Sequence, residues 1–273
     1  MFQPVYDVYI PLVRLAGGVP KLIQLKPPEW RITAEAIAEA ITPRTRVVLL
    51  NNPLNPAAVC YSAEDLMPLA EACVRHDLTV ISDEVWEHVL YDGRVHVPIM
   101  ALPGMRDRTV KIGSAGKIFS LTGWKVGWAC AAPHLAAAVA KAHAYMVFTT
   151  APNLQRAAAF GLGKDAGWFT AMRDGFSRSR DWLSAGLKAE GFAILPSQGT
   201  YFLLLDLQAS GIAVDDVTFC QKAVREAGVA SIPVSAFYAE NPVTSVVRLC
   251  FSKQDAVIDA GIERLAKARR LFA

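Results

Sequence analysis

The sequence predicts an α/β protein, with a large domain built on a mostly parallel sheet followed by a smaller α+β domain. Hydrophobic residues make up 53% of the 273 residues and charged residues 19%, which is typical of a globular chain. From about residue 45, short apolar runs alternate with amphipathic helical segments, which indicates parallel strands covered by helices. After Gly191 this alternation ends. We therefore predict domains at 1–162 and 163–273, divided within a long helix.

Each strand of the first domain ends at a polar or turn-forming cluster. The predicted strands are 45–50, 78–81, 110–113 and 125–131. Between the first two, Ser62 begins a helix, Asp65 follows at the capping-box position, and Leu66 and Leu69 lie on one apolar face. Later helices are predicted at 133–148, 153–188, 214–227 and from Gln254, and later strands at 200–206, 229–232 and 246–251.

Composition and charge exclude several classes of function. The 28 basic and 25 acidic side chains leave a net charge of +3, too small and too dispersed for a nucleic-acid surface. The most apolar stretch, 126–139, is broken by Pro133 and is too short to span a membrane, and the first residues do not form a signal peptide. The five scattered cysteines indicate reduced core residues of a cytoplasmic protein, and the five histidines are not spaced for a metal site.

Polar side chains follow three of the predicted strands. Asn55 comes after the first strand, Asp83 after the second, and the segment Ser114 to Lys117 after the third. In an open α/β sheet, ligands bind outside the carboxyl ends of the strands. We therefore expect these side chains to converge on one crevice.

These residue types match the needs of one cofactor, pyridoxal 5'-phosphate. A lysine among small residues, Lys117, can form a Schiff base with an aldehyde. An ionised carboxylate at a strand end, Asp83, can keep a heterocyclic nitrogen protonated. The hydroxyl of Ser114 and the ammonium group of Lys125 suit a phosphate dianion. Each residue alone is more often structural, and only their order and placement favour the cofactor.

Several segments together resemble one enzyme family. SAGKIFSLTGWKVGW, ISDEVWEHVLYDG and NNPLNPAAV are similar to segments of the class I/II aminotransferases, which have the aspartate aminotransferase-like fold of pyridoxal-phosphate-dependent transferases. The similarity is closest to the branch of kynurenine/glutamine transaminases and methionine or aromatic aminotransferases. It runs through the whole chain, from QPVYDVY through TTAPNLQRA, PSQGTYF and SIPVSAFY to VVRLCFSK.

The resemblance implies a role for each matching residue. Lys117 would hold the cofactor and act as the general base, and Asp83 would pair with the pyridinium nitrogen. Ser114 and Lys125 would bind the phosphate. The remaining matches are Asn55 on the phenolic oxygen, Tyr6 stacked on the pyridine ring, and Arg248 as the ligand of the substrate carboxylate. The implied partners are an amino acid and a 2-oxo acid, in a homodimer when the full N-terminal part is present.

Three features depart from the family pattern. Members carry an arm, the first elements of the large domain and a glycine-containing phosphate loop before the segment that starts here at Met1, so we expect an N-terminally truncated chain. Trp86 stands where the family has a tyrosine, and an indole can donate but not accept a hydrogen bond. Ala57 and Ala58 replace a threonine-glycine pair, which would alter the turn that aims Asn55.

The leading hypothesis is therefore an aminotransferase acting on apolar, sulfur-containing or aromatic L-amino acids. A carbon-sulfur β-lyase would use the same lysine and cofactor, and the sequence does not separate the two. A catalytically inactive, truncated remnant is a third alternative. The regulatory domain of an aminotransferase-like transcription factor is disfavoured, because the sequence contains no helix-turn-helix pattern.

Overall fold

The computed structural model describes residues 1–272. Its strands are β1 (Phe2–Gln3), β2 (Ile23–Gln24), β3 (Val47–Asn51), β4 (Thr79–Asp83), β5 (Thr109–Ser114), β6 (Gly127–Ala131), β7 (Ala193–Leu195), β8 (Phe202–Asp206), β9 (Ile232–Pro233) and β10 (Val246–Cys250). Its α-helices are α1 (Tyr9–Leu15), α2 (Ala34–Ala40), α3 (Ala63–Arg75), α4 (Ala115–Ile118), α5 (Pro133–Val147), α6 (Pro152–Leu162), α7 (Ala166–Ala189), α8 (Asp216–Lys222) and α9 (Asp255–Arg270).

The chain forms two compact units, and each is made of more than one segment. The first unit comprises Met1, Arg31–Pro53 and Cys60–Ala171, and the second comprises Phe2–Trp30, Leu54–Val59 and the chain from Met172 onward. The division into domains at residue 163 stays a prediction, because compactness alone does not define an independently folding domain.

The first unit is built on a four-stranded sheet in the order β3-β4-β5-β6. The first two strand pairs are parallel and the β5-β6 pair is antiparallel, which confirms the predicted mostly parallel sheet. Helix α3 connects β3 to β4. Its capping box is complete, because the backbone N–H of Asp65 donates to the Ser62 hydroxyl at 3.2 Å and the N–H of Ser62 donates to the Asp65 carboxylate at 2.9 Å.

The second unit contains an antiparallel sheet in the order β7-β8-β10-β9. Strand β8 is apolar along its length, and Phe202, Leu203, Leu204 and Leu205 are all buried. Such a continuous apolar run is typical of a strand covered on both faces. A separate parallel pair, β1 with β2, belongs to the same unit.

Four sequence-based expectations need correction, and the first is the strand predicted at 229–232, which is the two-residue β9 at Ile232–Pro233. The single helix predicted at 153–188 is two helices, because Gly163 ends α6 and the Asp165 carboxylate accepts from the N–H of Trp168 at 2.9 Å to begin a new one. Strand β7 was not predicted. Cys130 and Cys250 are exposed rather than in the core, whereas Cys60, Cys73 and Cys220 are buried as expected.

Candidate active site

The ends of β4 and β5 place two candidate side chains on one face of the sheet. In the register of this parallel pair, Asp83 lies beside Ile112. Side chains alternate between faces along a strand, so Ser114, two residues beyond Ile112, emerges on the same face as Asp83. The Asp83 carboxylate accepts from the N–H of Val85 at 3.2 Å, which fixes it at the start of the following turn.

Lys117 lies in the short helix α4 directly after β5. Its side chain is half-buried, and its Nζ is 5.2 Å from the centre of the Trp86 ring. Trp86 itself is only 2% exposed and follows Asp83 by three residues. The amine of Lys117 therefore lies against the ring of Trp86, in the segment that follows Asp83.

The loop around Ser114 is compact because a glycine permits a close approach. The Ser114 hydroxyl accepts from the N–H of Gly116 at 3.1 Å, and the Thr122 hydroxyl donates to the carbonyl of Gly116 at 2.9 Å. A Cβ at Gly116 would lie 3.1 Å from Thr122 Cα and 3.2 Å from Ser114 Oγ, closer than most real Cβ contacts. Lys125 is exposed, and its backbone has the left-handed conformation, with φ 55°. The next residue, Val126, binds the same loop, because its carbonyl accepts from the N–H of Ala115 at 3.1 Å.

In the second unit, Arg248 and Asn55 are bonded to each other. Arg248 Nη1 donates to Asn55 Oδ1 at 2.6 Å. The guanidinium carbon lies 4.0 Å from the centre of the Phe202 ring and 4.9 Å from that of Phe237. Burial lowers the pKa of Arg248 from its usual value, although a guanidinium stays charged in proteins. Since Arg248 can only donate, Asn55 turns its carbonyl towards the arginine and its amide N–H groups away from it.

Tyr6 also belongs to the second unit. Its side chain is 40% exposed, and its ring meets the edge of Tyr9 with centres 5.6 Å apart. A tyrosine face that is partly open to solvent could stack on a flat ligand.

The turn that carries Asn55 closes although it lacks the family's glycine. Ala58 adopts the left-handed conformation, with φ 58, and its N–H donates to the carbonyl of Leu54 at 2.8 Å. An L-residue pays about 1–2 kcal/mol for this conformation relative to glycine. The replacement of glycine by Ala58 therefore leaves a strained but closed turn.

An ion network around the buried Glu84, next to Asp83 in the chain, was not anticipated from the sequence. It consists of Glu84, Glu87, His96 and Lys111. The Glu84 carboxylate is 2.7 Å from His96 Nε2 and 3.9 Å from Lys111 Nζ, and Lys111 also binds Glu87. The segment DEVWE contains the two glutamates and could have indicated them. Nothing in the sequence indicated their pairing with His96, which comes twelve residues after Glu84.

Comparison with known proteins decides the family. The model of the family "Aminotransferase class I and II" matches residues 1–265 of this chain. The chain belongs to this family. The fold and function that the sequence resemblance implied are thereby confirmed.

Similar proteins agree with this assignment. Methionine aminotransferase of Escherichia coli is 39% identical over 97% of this chain and 68% of its own length. Kynurenine–oxoglutarate transaminase of Dictyostelium discoideum is 33% identical, over 99% of this chain and 71% of its own length. The structure of N-succinyldiaminopimelate aminotransferase from Mycobacterium tuberculosis matches with a TM-score of 0.94 and 39% identity, over 98% of this chain and 70% of that one.

This aminotransferase therefore catalyses the transfer of an amino group between an amino acid and an oxo acid, in a fold shared with pyridoxal-phosphate enzymes. The structure brings Asp83, Trp86, Ser114, Lys117 and Lys125 into the first unit, and Tyr6, Asn55 and Arg248 into the second. Within residues 1–272, no helix is both long and apolar enough to cross a membrane.

Proposed function

We propose that Lys117 binds pyridoxal 5'-phosphate and that the chain transfers the amino group of an apolar, sulfur-containing or aromatic L-amino acid to a 2-oxo acid. The observation that carries this proposal is the position of the Lys117 amine against Trp86, in the turn that starts at Asp83. The substrate class follows from the similarity to methionine aminotransferase and kynurenine–oxoglutarate transaminase.

The donor set of the first unit fits this cofactor. Lys117 offers an amine for the aldehyde, and Asp83 offers a carboxylate for the pyridinium nitrogen. The Ser114 hydroxyl and the ammonium group of the exposed Lys125 would bind the phosphate. Trp86 would contribute an indole N–H, which can donate to a phenolate oxygen.

The residues of the second unit suit the remaining contacts. Arg248 is a desolvated guanidinium, which prefers a bidentate pair with a carboxylate, so we assign it to the α-carboxylate of the substrate. Asn55 points its amide N–H groups away from Arg248 and would donate to the phenolic oxygen of the cofactor. Tyr6 would stack on the pyridine ring.

The proton transfer falls to Lys117. When bound, the cofactor supplies an electron-withdrawing ring that stabilises negative charge at the substrate α-carbon. The neutral amine of Lys117 would take the proton from this carbon as a general base and would then donate it to the cofactor. Asp83 would remain ionised throughout and keep the ring nitrogen protonated.

The assignment of Lys117 is tested with Lys117→Ala, with the exposed Lys188→Ala as its control. We expect Lys117→Ala to lose the visible absorption of lysine-bound cofactor and to lower kcat by at least about a hundredfold, since a general base contributes that much. Lys188→Ala should behave as the parent. A lysine-type absorption band that persists in Lys117→Ala would refute the assignment.

The reaction type is tested by the dependence on an acceptor. A transaminase forms sustained 2-oxo acid from methionine only when a second oxo acid is added, whereas a β-lyase needs no acceptor and releases a thiol from a sulfur-containing substrate. We expect acceptor-dependent turnover. Thiol release from a cysteine conjugate without an acceptor would instead identify a lyase, and a chain that binds the cofactor but shows neither reaction would be an inactive remnant.

We also infer that the chain associates as a homodimer and acts in the cytoplasm. Membership of the aminotransferase family supports both inferences. The apolar side chains that α5 leaves exposed supply a surface for a second copy.

A further inference from the structure

The ion network lies on the face of the sheet opposite to Asp83. Ser82 pairs with Lys111 in the register of β4 and β5, so their side chains share a face, and Asp83 points to the other one. Glu84 joins the Ser82 side, since the Ser82 hydroxyl donates to Glu84 Oε1 at 2.7 Å. The side chains of Glu84 and His96 are 1% and 8% exposed, whereas those of Glu87 and Lys111 are 15% and 16% exposed.

The carboxylates of the network are neutralised by a lysine, Lys111, rather than by a metal ion. The carboxyl oxygens of Glu84 and Glu87 and a nitrogen of His96 lie within 4.8 Å of one another, which could suit a metal ion. However, the ammonium group of Lys111 binds Glu87 and is 3.9 Å from Glu84, so it neutralises the same carboxylates. His96 Nε2 faces the Glu84 carboxylate at 2.7 Å, and His96 Nδ1 is buried with no hydrogen-bond partner among the described residues.

The network holds both ends of the turn that carries Trp86. The carbonyl of Glu84 accepts from the N–H of Glu87 at 3.0 Å, and the carboxylates of both residues are bound by Lys111. Trp86 lies inside this turn and its carbonyl accepts from the N–H of Val89 at 2.8 Å. The backbone of the turn that carries Trp86 is therefore held by side chains on the face opposite to Asp83.

We propose that Glu84 and His96 are positioning residues for amino transfer: they hold the Trp86 ring against the amine of Lys117. The negative face of an aromatic ring favours a cation above it. The position of Trp86 would thus set how readily Lys117 becomes the neutral amine that attacks a carbonyl and accepts a proton. This inference rests on the function proposed for Lys117, but its first test does not require the cofactor.

The first test measures the rate of reductive methylation of Lys117 in the cofactor-free chain at fixed pH, with the exposed Lys188 as the internal reference. Trp86→Leu should raise the Lys117 rate roughly two- to fivefold, the factor expected for the loss of a cation–π contact. Glu84→Gln and His96→Gln should raise it by a similar factor because they release the turn. Glu64→Gln, at an exposed position in α3, should leave it unchanged.

The combined variants separate positioning from general loosening. In the Trp86→Leu background, Glu84→Gln and His96→Gln should add nothing to the Lys117 rate, because residues that act through one contact are not additive. An unchanged Lys117 rate in both single variants, or an increment that persists without Trp86, would overturn the proposal. Failure of both variants to fold, measured by circular dichroism, would make the network a stability element and would overturn it too.

The second test uses the chain loaded with pyridoxal phosphate. Glu84→Gln should lower kcat about ten- to a hundredfold while KM for the amino acid stays within about twofold, because misplacing a reacting group affects the chemical step rather than binding. A rise in KM alone would contradict positioning. If the chain does not bind the cofactor at all, the proposed function fails, while the methylation rates still decide the role of the network.

Discussion

Arg248 combines a contact with an aromatic ring and a hydrogen bond to a polar side chain. Its guanidinium lies on the Phe202 ring, away from water, and yet it keeps a polar partner in Asn55 at 2.6 Å. Burial lowers its pKa, which means that the charge is held without full solvation. A carboxylate is attracted more strongly to a guanidinium that is partly shielded from water than to a fully exposed one.

At this residue we predict a loss that depends on the substrate carboxylate. Arg248→Lys removes the planar, bidentate donor and should lower kcat/KM for the amino acid by about ten- to a hundredfold, the range for hydrogen bonds to charged groups. Steady-state kinetics measures this loss. The exposed Arg264→Lys should have no effect.

An amine that lacks the α-carboxylate provides the internal control for Arg248. Its slow conversion should be the same in the parent and in Arg248→Lys. An equal loss for both substrates would show that the arginine acts on the structure of the site and does not bind the carboxylate.

Helix α3 shows how far local sequence determines an element. Its start depends on Ser62 and Asp65, which satisfy each other's backbone N–H groups, and its buried face includes Leu66 and Leu69. All of this was predicted, because the contacts connect residues three or four positions apart.

For this element we predict that Ser62→Ala lowers the free energy of unfolding by about 1 kcal/mol, the usual cost of losing a helix cap. Chemical denaturation measures the difference. Ser184→Ala, in the middle of α7, should leave stability unchanged or slightly higher, since alanine favours a helix interior. Equal destabilisation by both variants would mean that the capping box contributes nothing.

Features that depend on distant residues were less accessible from the sequence. The mostly parallel sheet and the candidate residues Asp83, Ser114 and Lys117 followed from runs of adjacent residues. The break between α6 and α7 did not, because the apolar spacing continues across Gly163. The Glu84–His96 pair was missed for a related reason: a buried ion pair across a loop leaves no periodic signal.

At the scale of the whole molecule, the distribution of thiols affects stability at alkaline pH. Burial raises the pKa of Cys60, Cys73 and Cys220 to about 11, against an ordinary value of 9.0. The folded chain therefore retains these protons where the unfolded chain has released them. This contribution to stability is complete below about pH 9 and is lost as the pH rises towards 11.

We accordingly predict that the urea midpoint falls steeply between pH 9 and 11. A chain with alanine at these three positions should be less stable at neutral pH and should show a shallower decline. The same slope in both chains would assign the decline to other groups. With Ellman's reagent, the native chain should expose two rapidly reacting thiols, Cys130 and Cys250.

Self-association is the second prediction at this scale. Helix α5 has no buried residue, and its Tyr145 is 85% exposed. Tyr145→Glu should shift the chain from dimer to monomer in sedimentation equilibrium, because a charge opposes burial in an apolar contact. Val95→Glu, at another exposed apolar position, should not. A monomeric parent chain would contradict the prediction directly.

Because Asp83 and Glu84 point to opposite faces of the sheet, β4 should tolerate substitutions better than insertions or deletions. Point substitutions within β4 alter one position at a time, but a single-codon insertion or deletion would reverse the facing of every side chain downstream in the strand. The carboxylate that we propose for the cofactor would then point to the opposite face of the sheet, and its neighbour would take its place. A change in the length of this strand should therefore disturb the protein more than most substitutions within it.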